Sequence, residues 1–399
     1  MRGLANIGMN NCSFAAKSTK GIDSNIVEFI CKAHEDQSDE RFNELALREF
    51  EFLYRASTPY RDSCKRNNFS PGTINRWEEI PAVASFSMHD AGGLSSASGV
   101  VELERKRGPV FPDKDTVVLS STVNNLLAKT FLFPDIERIK MLLAVPVPLM
   151  APGMVMASGL KRLAQRFGTP ESRFLISFRG LDLEALAGAL RRAEKLREPL
   201  ALLGATFVID YFLDACEKEG IRFDLPEGSR IVDSGGYMGR YVKCTKEEYF
   251  RKCKRILGVE ENHCVNALWI CESSTVYFDN VLRNSLSGLV KERCKEMPPW
   301  TRVIAVDPRD FKRAPKGKPG LLRLYDLTNR AMAFAVQTDK IGFETEDGFE
   351  VAGKWNKSIG TADIDRSPQH PGGGTVTKLM DFFMRRKFSK LGGICSRLK

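Results

Sequence analysis

Two stretches of the chain carry residue types that could do chemistry. The first is Gly228-Ser229-Arg230-Ile231-Val232-Asp233-Ser234-Gly235-Gly236-Tyr237-Met238-Gly239-Arg240. Its apolar pair, Ile231 and Val232, reads as a buried strand that ends in polar residues and then a glycine pair. Glycine admits positive φ and lets a flat ligand come close to the backbone. Ligands of open α/β sheets bind just past the carboxyl ends of strands. Gly235 and Gly236 are therefore a candidate edge for a nucleotide or another ring. The same residues also fit an ordinary strand-to-loop turn, since short glycine motifs recur by accident. The second stretch is Val265-Asn266-Ala267-Leu268-Trp269-Ile270-Cys271-Glu272-Ser273-Ser274-Thr275-Val276-Tyr277-Phe278-Asp279. It reads as another apolar strand, ending in the carboxylate of Glu272 and a hydroxyl cluster. Two such strand ends in succession predict one composite site.

The elements that must position these residues follow from periodicity. Phe42, Leu45, Ala46, Phe50, Leu53 and Tyr54 recur at helical spacing and predict a helix over 41–55. Tyr60 to Asn68 reads as a polar connection, and 80–83 as an entry strand. Helices are expected over 123–133, 154–165, 183–197 and 207–219, and strands over 141–147, 173–177 and 199–203. Thr245-Lys246-Glu247-Glu248 is a capping box that opens a helix to about Leu257. Alternation of this kind argues α/β with a largely parallel sheet. Further on, 281–297 reads as a helix stopped by Pro298-Pro299. Short strands follow at 302–306, 321–325 and 331–336, and Asp347-Gly348 signals a hairpin over 342–353. The second half is thus strand-rich. The expected domains are 1–80, 81–342 and 343–399.

Composition narrows the function classes. The 399 residues are 43% hydrophobic and 28% charged, an ordinary globular balance. Net charge is +10, and seven basic residues face one acid, Asp381, between Lys378 and Lys399. A basic excess can meet nucleic acid, an acidic membrane or an anionic substrate. A solvated basic tail explains it equally well, and no nucleic-acid partner is expected. Ten scattered cysteines form no Cys-x-x-Cys pair, and the four histidines lack metal-ligand spacing. With no secretory leader in view, a reduced cytoplasmic setting is expected. The uncharged run 141–160 is broken by Pro146, Pro148 and Pro152, so it is read as a strand, a loop and a helix start rather than a membrane span. Val376, Leu379, Met380 and Phe383 with Arg385, Arg386 and Lys387 form a basic amphipathic pattern that could touch anionic lipid. A helix packed on the domain is the competing reading.

Taken in order, several pieces resemble the acyl-protein synthetase family (LuxE type), a branch of the adenylate-forming enzymes. They are Phe42-Asn43-Glu44-Leu45-Ala46-Leu47, Tyr60, Cys64, Trp77 to Val83 and Ala151-Pro152-Gly153-Met154. Leu225 to Arg230, Ser234 to Tyr237, Gly239-Arg240 and Asn266 to Asp279 continue the series. Tyr325-Asp326-Leu327-Thr328-Asn329, Thr338 to Gly342 and Gly348 to Val351 complete it. The resemblance implies an α/β adenylate-forming core with mostly parallel sheets flanked by helices. It implies a ligase that joins a long-chain fatty acid to ATP as acyl-adenylate and passes the acyl group to a thiol. The acceptor would be a cysteine on the enzyme, and then a partner reductase that makes aldehyde. ATP and Mg²⁺ are the implied cofactors. Gly235, Gly236 and Tyr237 would lie against the adenine. Glu272 would hold Mg²⁺ or the reacting phosphate, with Cys271 beside it. Asp339 would serve the ribose, Lys354 would stand where the family has arginine, and Ser95, Ser96, Ser98 and Gly99 would form the phosphate loop. The apolar region 146–156 would wall the acyl chain, with core packing as the safer reading of the same residues.

Four departures from the family pattern stand out, and the altered loop and Lys340 motivate an alternative, a binding or scaffold protein on the same fold. The loop lacks a threonine pair, and Lys340 occupies the ribose aspartate's slot, with Asp339 one position early. Lys354 lacks the bidentate fork of arginine. The acyl-accepting cysteine expected after the hairpin is absent, and Cys395 is the only cysteine in the tail.

Overall fold

Unbroken apolar runs make strands that are buried on both faces, the hallmark of parallel sheets. The computed structural model describes residues 24–32, 38–85, 99–101, 114–152, 154–178, 180–237, 244–270, 272–329, 333–355 and 386–398. Its strands are β1 (Ala82–Ala84), β2 (Val100–Val101), β3 (Lys140–Pro146), β4 (Arg173–Ser177), β5 (Gly180–Leu181), β6 (Leu200–Ala205), β7 (Arg230–Ser234), β8 (Cys264–Leu268), β9 (Tyr277–Phe278), β10 (Lys295–Glu296), β11 (Thr301–Val306), β12 (Gly320–Asp326), β13 (Ala335–Glu344) and β14 (Gly348–Lys354). Its helices are α1 (Ser24–Cys31), α2 (Asp39–Ala56), α3 (Thr58–Arg66), α4 (Lys114–Phe131), α5 (Val155–Phe167), α6 (Leu183–Leu196), α7 (Thr206–Lys218), α8 (Lys246–Leu257), α9 (Val281–Leu286) and α10 (Leu391–Arg397). The chain divides into two compact units. One is Met1–Leu127, Ile270–Tyr277 and Cys294–Pro368; the other is Ala128–Trp269, Phe278–Arg293 and Gln369–Lys399.

The second unit holds the sheet strands β5-β4-β3-β6-β7-β8. Strands β4, β3, β6, β7 and β8 run parallel, with Leu202 opposite Ile231 and Val232 opposite Val265. Leu142, Leu202, Ile231 and Cys264 join one core with α6, α7, α8 and α10. Their neighbours Met141, Leu203, Val232 and Val265 point the other way and are buried too. Helix α8 begins as the capping box requires: Glu248 N donates to Thr245 Oγ1 at 3.2 Å, and Thr245 N donates to Glu248 Oε2 at 2.7 Å. Gly258, at φ +74°, ends it. At the amino end of β7 the fully buried Arg230 forks onto Asp135 at 2.9 and 2.8 Å and donates to Leu132 O at 2.6 Å. Burial raises the Asp135 carboxyl, but the Arg230 guanidinium outweighs it and holds the group below its ordinary range.

The first unit holds a mixed sheet. Strand β1 lies parallel between β2 and β13, and β11, β12, β13, β14 and β10 follow antiparallel. The stripe Phe42, Leu45, Ala46 and Phe50 of α2 is buried as its spacing requires. It meets the sheet through edge-on aromatic pairs, Phe42 with Trp77 at 5.7 Å and Trp77 with Tyr325 at 4.7 Å. Such pairs add about 0.5–1.5 kcal/mol each beyond burial.

Four local expectations are corrected. The stretch read as a polar connection is largely α3: Ser57 caps it, Pro59 occupies its first turn, and Tyr60, Ser63 and Cys64 form its buried face. Helix α4 starts at Lys114, nine positions before the expected Val123. The helix expected over 281–297 stops at Leu286, where Ser287 N donates to Arg283 O and Gly288 takes φ +66°. The strand expected over 331–336 is β13, which starts at Ala335 and runs through the ribose segment. The amphipathic pattern from Val376 to Arg385 lies outside the described residues. No helix among the described residues is long and apolar enough to cross a membrane.

Candidate functional site

In the second unit the carboxyl edge of the sheet is organised by Asp233. This last buried residue of β7 is 0% exposed. Thr206 Oγ1, at the start of α7, donates to its Oδ2 at 2.6 Å. Asn266 Nδ2, on β8, donates to the same oxygen at 2.9 Å and to Gly235 O at 3.2 Å. The Tyr237 hydroxyl lies 3.1 and 3.0 Å from the two carboxylate oxygens. Burial pushes the Asp233 carboxyl above its ordinary range against the pull of these donors. Burial, and then the Asp233 charge, push the Tyr237 phenol well up. Gly235 has φ +142°, and a Cβ there would come within 2.9 Å of Thr206 Oγ1. That glycine is thus required by the brace beneath it. Gly236 is different: a Cβ there would meet nothing within 4 Å. Both glycines are exposed, so the open backbone that a ring could approach is at Gly236.

In the first unit the loop after Cys271 is clamped from two sides. Asp326, at the end of β12 and 2% exposed, accepts from Thr275 N at 3.0 Å and Ser273 Oγ at 3.1 Å. Its other oxygen accepts from Thr328 N and Thr328 Oγ1 at 2.9 and 2.6 Å. Asn329 Nδ2 donates to the carbonyls of Glu272 and Ala333. From α4, Asn124 donates to Ser274 O at 2.7 Å and accepts from Val276 N at 2.8 Å, and Ser120 Oγ donates to Ser274 O at 2.9 Å. The clamp fixes the backbone on which the 6% exposed Glu272 sits. Tyr325-Asp326-Leu327-Thr328-Asn329, singled out in the sequence as a motif, supplies half of it.

Asp339, Lys340 and Lys354 come together in the same unit. The Asp339 carboxylate, 1% exposed, has Lys340 Nζ 3.0 Å from Oδ1 and Lys354 Nζ 3.0 Å from Oδ2. Burial alone would raise this carboxyl, but the two ammonium groups hold it below the ordinary value of 3.8. Its stabilising contribution is therefore present at neutral pH and fades as the pH falls from the unfolded value through the lower folded one. Lys354 is half-exposed, so its share is about 1 kcal/mol or less. Lys354→Ala should move the onset of acid unfolding to higher pH, as followed by circular dichroism. A titration curve that overlays the wild type would show that the pair contributes nothing. Among the described residues of the expected phosphate loop stands Gly99, at φ +86°; a Cβ there would lie 3.5 Å from Nη1 of the buried Arg323. Ser95, Ser96, Ser98 and Cys271 lie outside the described residues.

Sequence reasoning missed Asp233, Thr206 and Asn266 as a connected brace, and Asn124 and Ser120 as clamps. The available signal was a polar residue inside an otherwise apolar strand, as Asn266 is in β8. Cys395 is 3% exposed and packs in the core of the second unit, against which α10 docks. Buried thiols in apolar surroundings are inert. Among the described residues no group of three or more His, Cys, Asp or Glu could hold a metal. A magnesium ion carried on substrate phosphates needs only one or two protein carboxylates, and Glu272 fits that requirement.

The architecture is that of adenylate-forming ligases. An open conformation of 2-hydroxyisobutyryl-CoA ligase, solved with 2-HIB-AMP and CoA, superposes with a TM-score of 0.55 at 11% identity, covering 79% of this chain and 69% of that one. The same ligase in its postadenylation state gives 0.55 at 9% identity, covering 89% and 84%. Residues 172–369, just under half of the chain, match the family model described as acyl-protein synthetase, LuxE. A curated relative, the long-chain-fatty-acid–luciferin-component ligase of Vibrio harveyi, is 20% identical over 182 residues. The match spans 44% of this chain and 44% of that relative, so less than half of the relative's length is represented.

Proposed function

We propose that this chain activates a carboxylic acid with ATP and passes the acyl group to a thiol. In the first step a carboxylate oxygen attacks the α-phosphorus, the bond to the bridging oxygen breaks, and pyrophosphate leaves. In the second a thiolate attacks the acyl carbon, AMP leaves with the bridging oxygen, and the thiol's proton passes to solvent. The observation that carries this reading is the clamp on Glu272, built from a segment that lies inside the family match. Two anions must be brought together, so fixed geometry and charge neutralisation supply the rate.

In this reading Gly236 leaves its backbone open to the adenine, while Gly235 holds the turn. Tyr237, its hydroxyl engaged by Asp233, offers only its ring. Glu272 holds Mg²⁺, which when bound screens the phosphates. Ser95, Ser96, Ser98 and Gly99 cradle the phosphates, and Cys271 takes the position beside Glu272. Asp339 reaches the ribose hydroxyls, with Lys340 as its counter-ion, and Lys354 supplies positive charge to the reacting phosphate. The relative's name points to a fatty acid as the substrate. The acceptor is then a thiol outside the buried cysteines, on a partner such as an acyl-accepting reductase.

Pyrophosphate exchange dependent on a panel of fatty and aryl acids tests the reading. Exchange is expected with at least one acid. Glu272→Gln should reduce it about 10- to 100-fold, the worth of one charged contact. ATP binding by calorimetry without exchange on any acid would instead support a scaffold that has lost adenylation.

A further inference from the structure

Among the described residues two arginines are enclosed by the fold, and they are treated differently. Arg230, 1% exposed, is neutralised by its fork onto Asp135. Arg323, on β12 and 4% exposed, is not. Its Nε donates to Gln337 Oε1 at 2.8 Å. Gln337 is held in that orientation by its own Nε2, which donates to Leu322 O at 3.3 Å and Thr338 O at 3.2 Å. The guanidinium carbon lies 5.9 Å from the centre of the Phe311 ring. Burial pushes the Tyr325 phenol, two residues along the strand, above its ordinary range against the pull of this cation. All of these neighbours are neutral. Among the described residues no carboxylate pairs with Arg323, and its buried Nη2 has no hydrogen-bond partner. A buried charge is paired or costly, and a buried donor left unsatisfied in a native fold calls for a reason. The far end of the guanidinium supplies one. A Cβ on Gly99 would lie 3.5 Å from Nη1, so the half-buried backbone of that glycine, at φ +86°, stands against the cation. Gly99 closes the stretch that the sequence marks as the phosphate loop, the one that lacks the family's threonine pair.

We propose that Arg323 is a phosphate-binding residue of this chain: Nη2, with Nη1 beside Gly99, takes an oxygen of the terminal phosphates of ATP, and of pyrophosphate once it has formed, in place of the missing threonine hydroxyls. The proposal rests on the ligase reading for the identity of the anion and deepens it. A planar guanidinium matches phosphate oxygens with parallel N–H donors. This one has already lost its water and is oriented by Gln337, so it meets charge on the leaving group without reorganising.

The test is calorimetry of the full chain with pyrophosphate alone, comparing wild type with Arg323→Met and Arg323→Lys. Methionine keeps the stem without the charge, and lysine keeps the charge without the fork. Pyrophosphate affinity should fall about 10- to 100-fold in Arg323→Met, the worth of one charged contact, and by a smaller factor in Arg323→Lys. Adenosine affinity should stay at the wild-type value in both. Pyrophosphate should also raise the urea midpoint of the wild type by mass action, and the same concentration should raise that of Arg323→Met less. If Arg323→Met does not fold, Arg323→Lys decides: pyrophosphate binding as tight as wild type overturns the proposal. Equal binding in all three proteins, or none in the wild type, overturns it as well, leaving Nη2 to a buried water and the ligase reading untouched. A parallel loss of adenosine and pyrophosphate affinity marks damage to the fold rather than a lost contact, and likewise overturns it. Pyrophosphate binding that depends on Arg323, in a chain that shows exchange with no acid, keeps the phosphate site and sinks the ligase reading instead.

Discussion

Asp326→Ala should both unfold the protein more easily and silence its proposed chemistry. The carboxylate accepts from Thr275 N, Ser273 Oγ, Thr328 N and Thr328 Oγ1, all within 3.1 Å. Alanine leaves these donors facing a void in a site that is 2% exposed. Each buried group without a partner costs about 1–3 kcal/mol, and breaking such a network as a whole about 3–5 kcal/mol. The loss should appear in urea unfolding as a lower midpoint with an unchanged slope. Release of Ser273 to Thr275 also lets Glu272 drift, and a misplacement of about 1 Å costs about 100-fold in rate. Pyrophosphate exchange should fall by at least that factor. A variant as stable and as active as wild type would remove Asp326 from any supporting role.

The second large effect is expected at Asp233. Replacing it with alanine removes the carboxylate partner of Thr206 and Tyr237 and one of the two acceptors of Asn266, at about 3 kcal/mol. The pH dependence carries a distinctive sign. Burial raises the folded carboxyl above its unfolded value. Such a group adds stability that is fully present below the unfolded value and is lost as the pH rises through the folded one. Wild-type stability should therefore carry a declining component over that window, and Asp233→Ala should lack it. Urea midpoints measured across the acid range decide the matter. A variant that keeps the decline would place its origin elsewhere. Asp339 has the opposite sign, so the two aspartates are separable in one experiment.

Much of the sheet was legible because its strands announce themselves. Strand β4 falls on the expected residues, and β3 and β7 do so nearly, since a run such as Met-Leu-Leu-Ala-Val has no competing reading between turn signals. The box at Thr245 fixed the start of α8 for a similar reason: both of its hydrogen bonds are local. Helix α3 was hidden because only Tyr60, Ser63 and Cys64 face inward, too few for a stripe. The overrun at α9 came from reading apolar content past a glycine that turns the chain.

The site divides along the same line. The glycine pair and Glu272 could be singled out because each follows an apolar run within a few residues. What holds them could not. Asp326 acts on a loop 51 and 53 residues away, and Asn124 on one 150 and 152 residues away. No spacing rule reports a partner at that distance. A carboxylate such as Asp233 also looks like a ligand-binding group until its three internal donors are seen.

The order in which the first unit's sheet becomes available during synthesis follows from its pairing. Strand β1 lies between β2 and β13, with Val83 opposite Val336, so one of its neighbours is made 253 residues later (336 minus 83). At about 5–20 residues per second that neighbour emerges roughly 13 to 50 s afterwards. For that interval an edge of apolar β1, normally covered, has nothing to pair with. Nascent chains should therefore depend on holding factors or low temperature for a good yield, and pauses before codon 335 should be more damaging than pauses after codon 355.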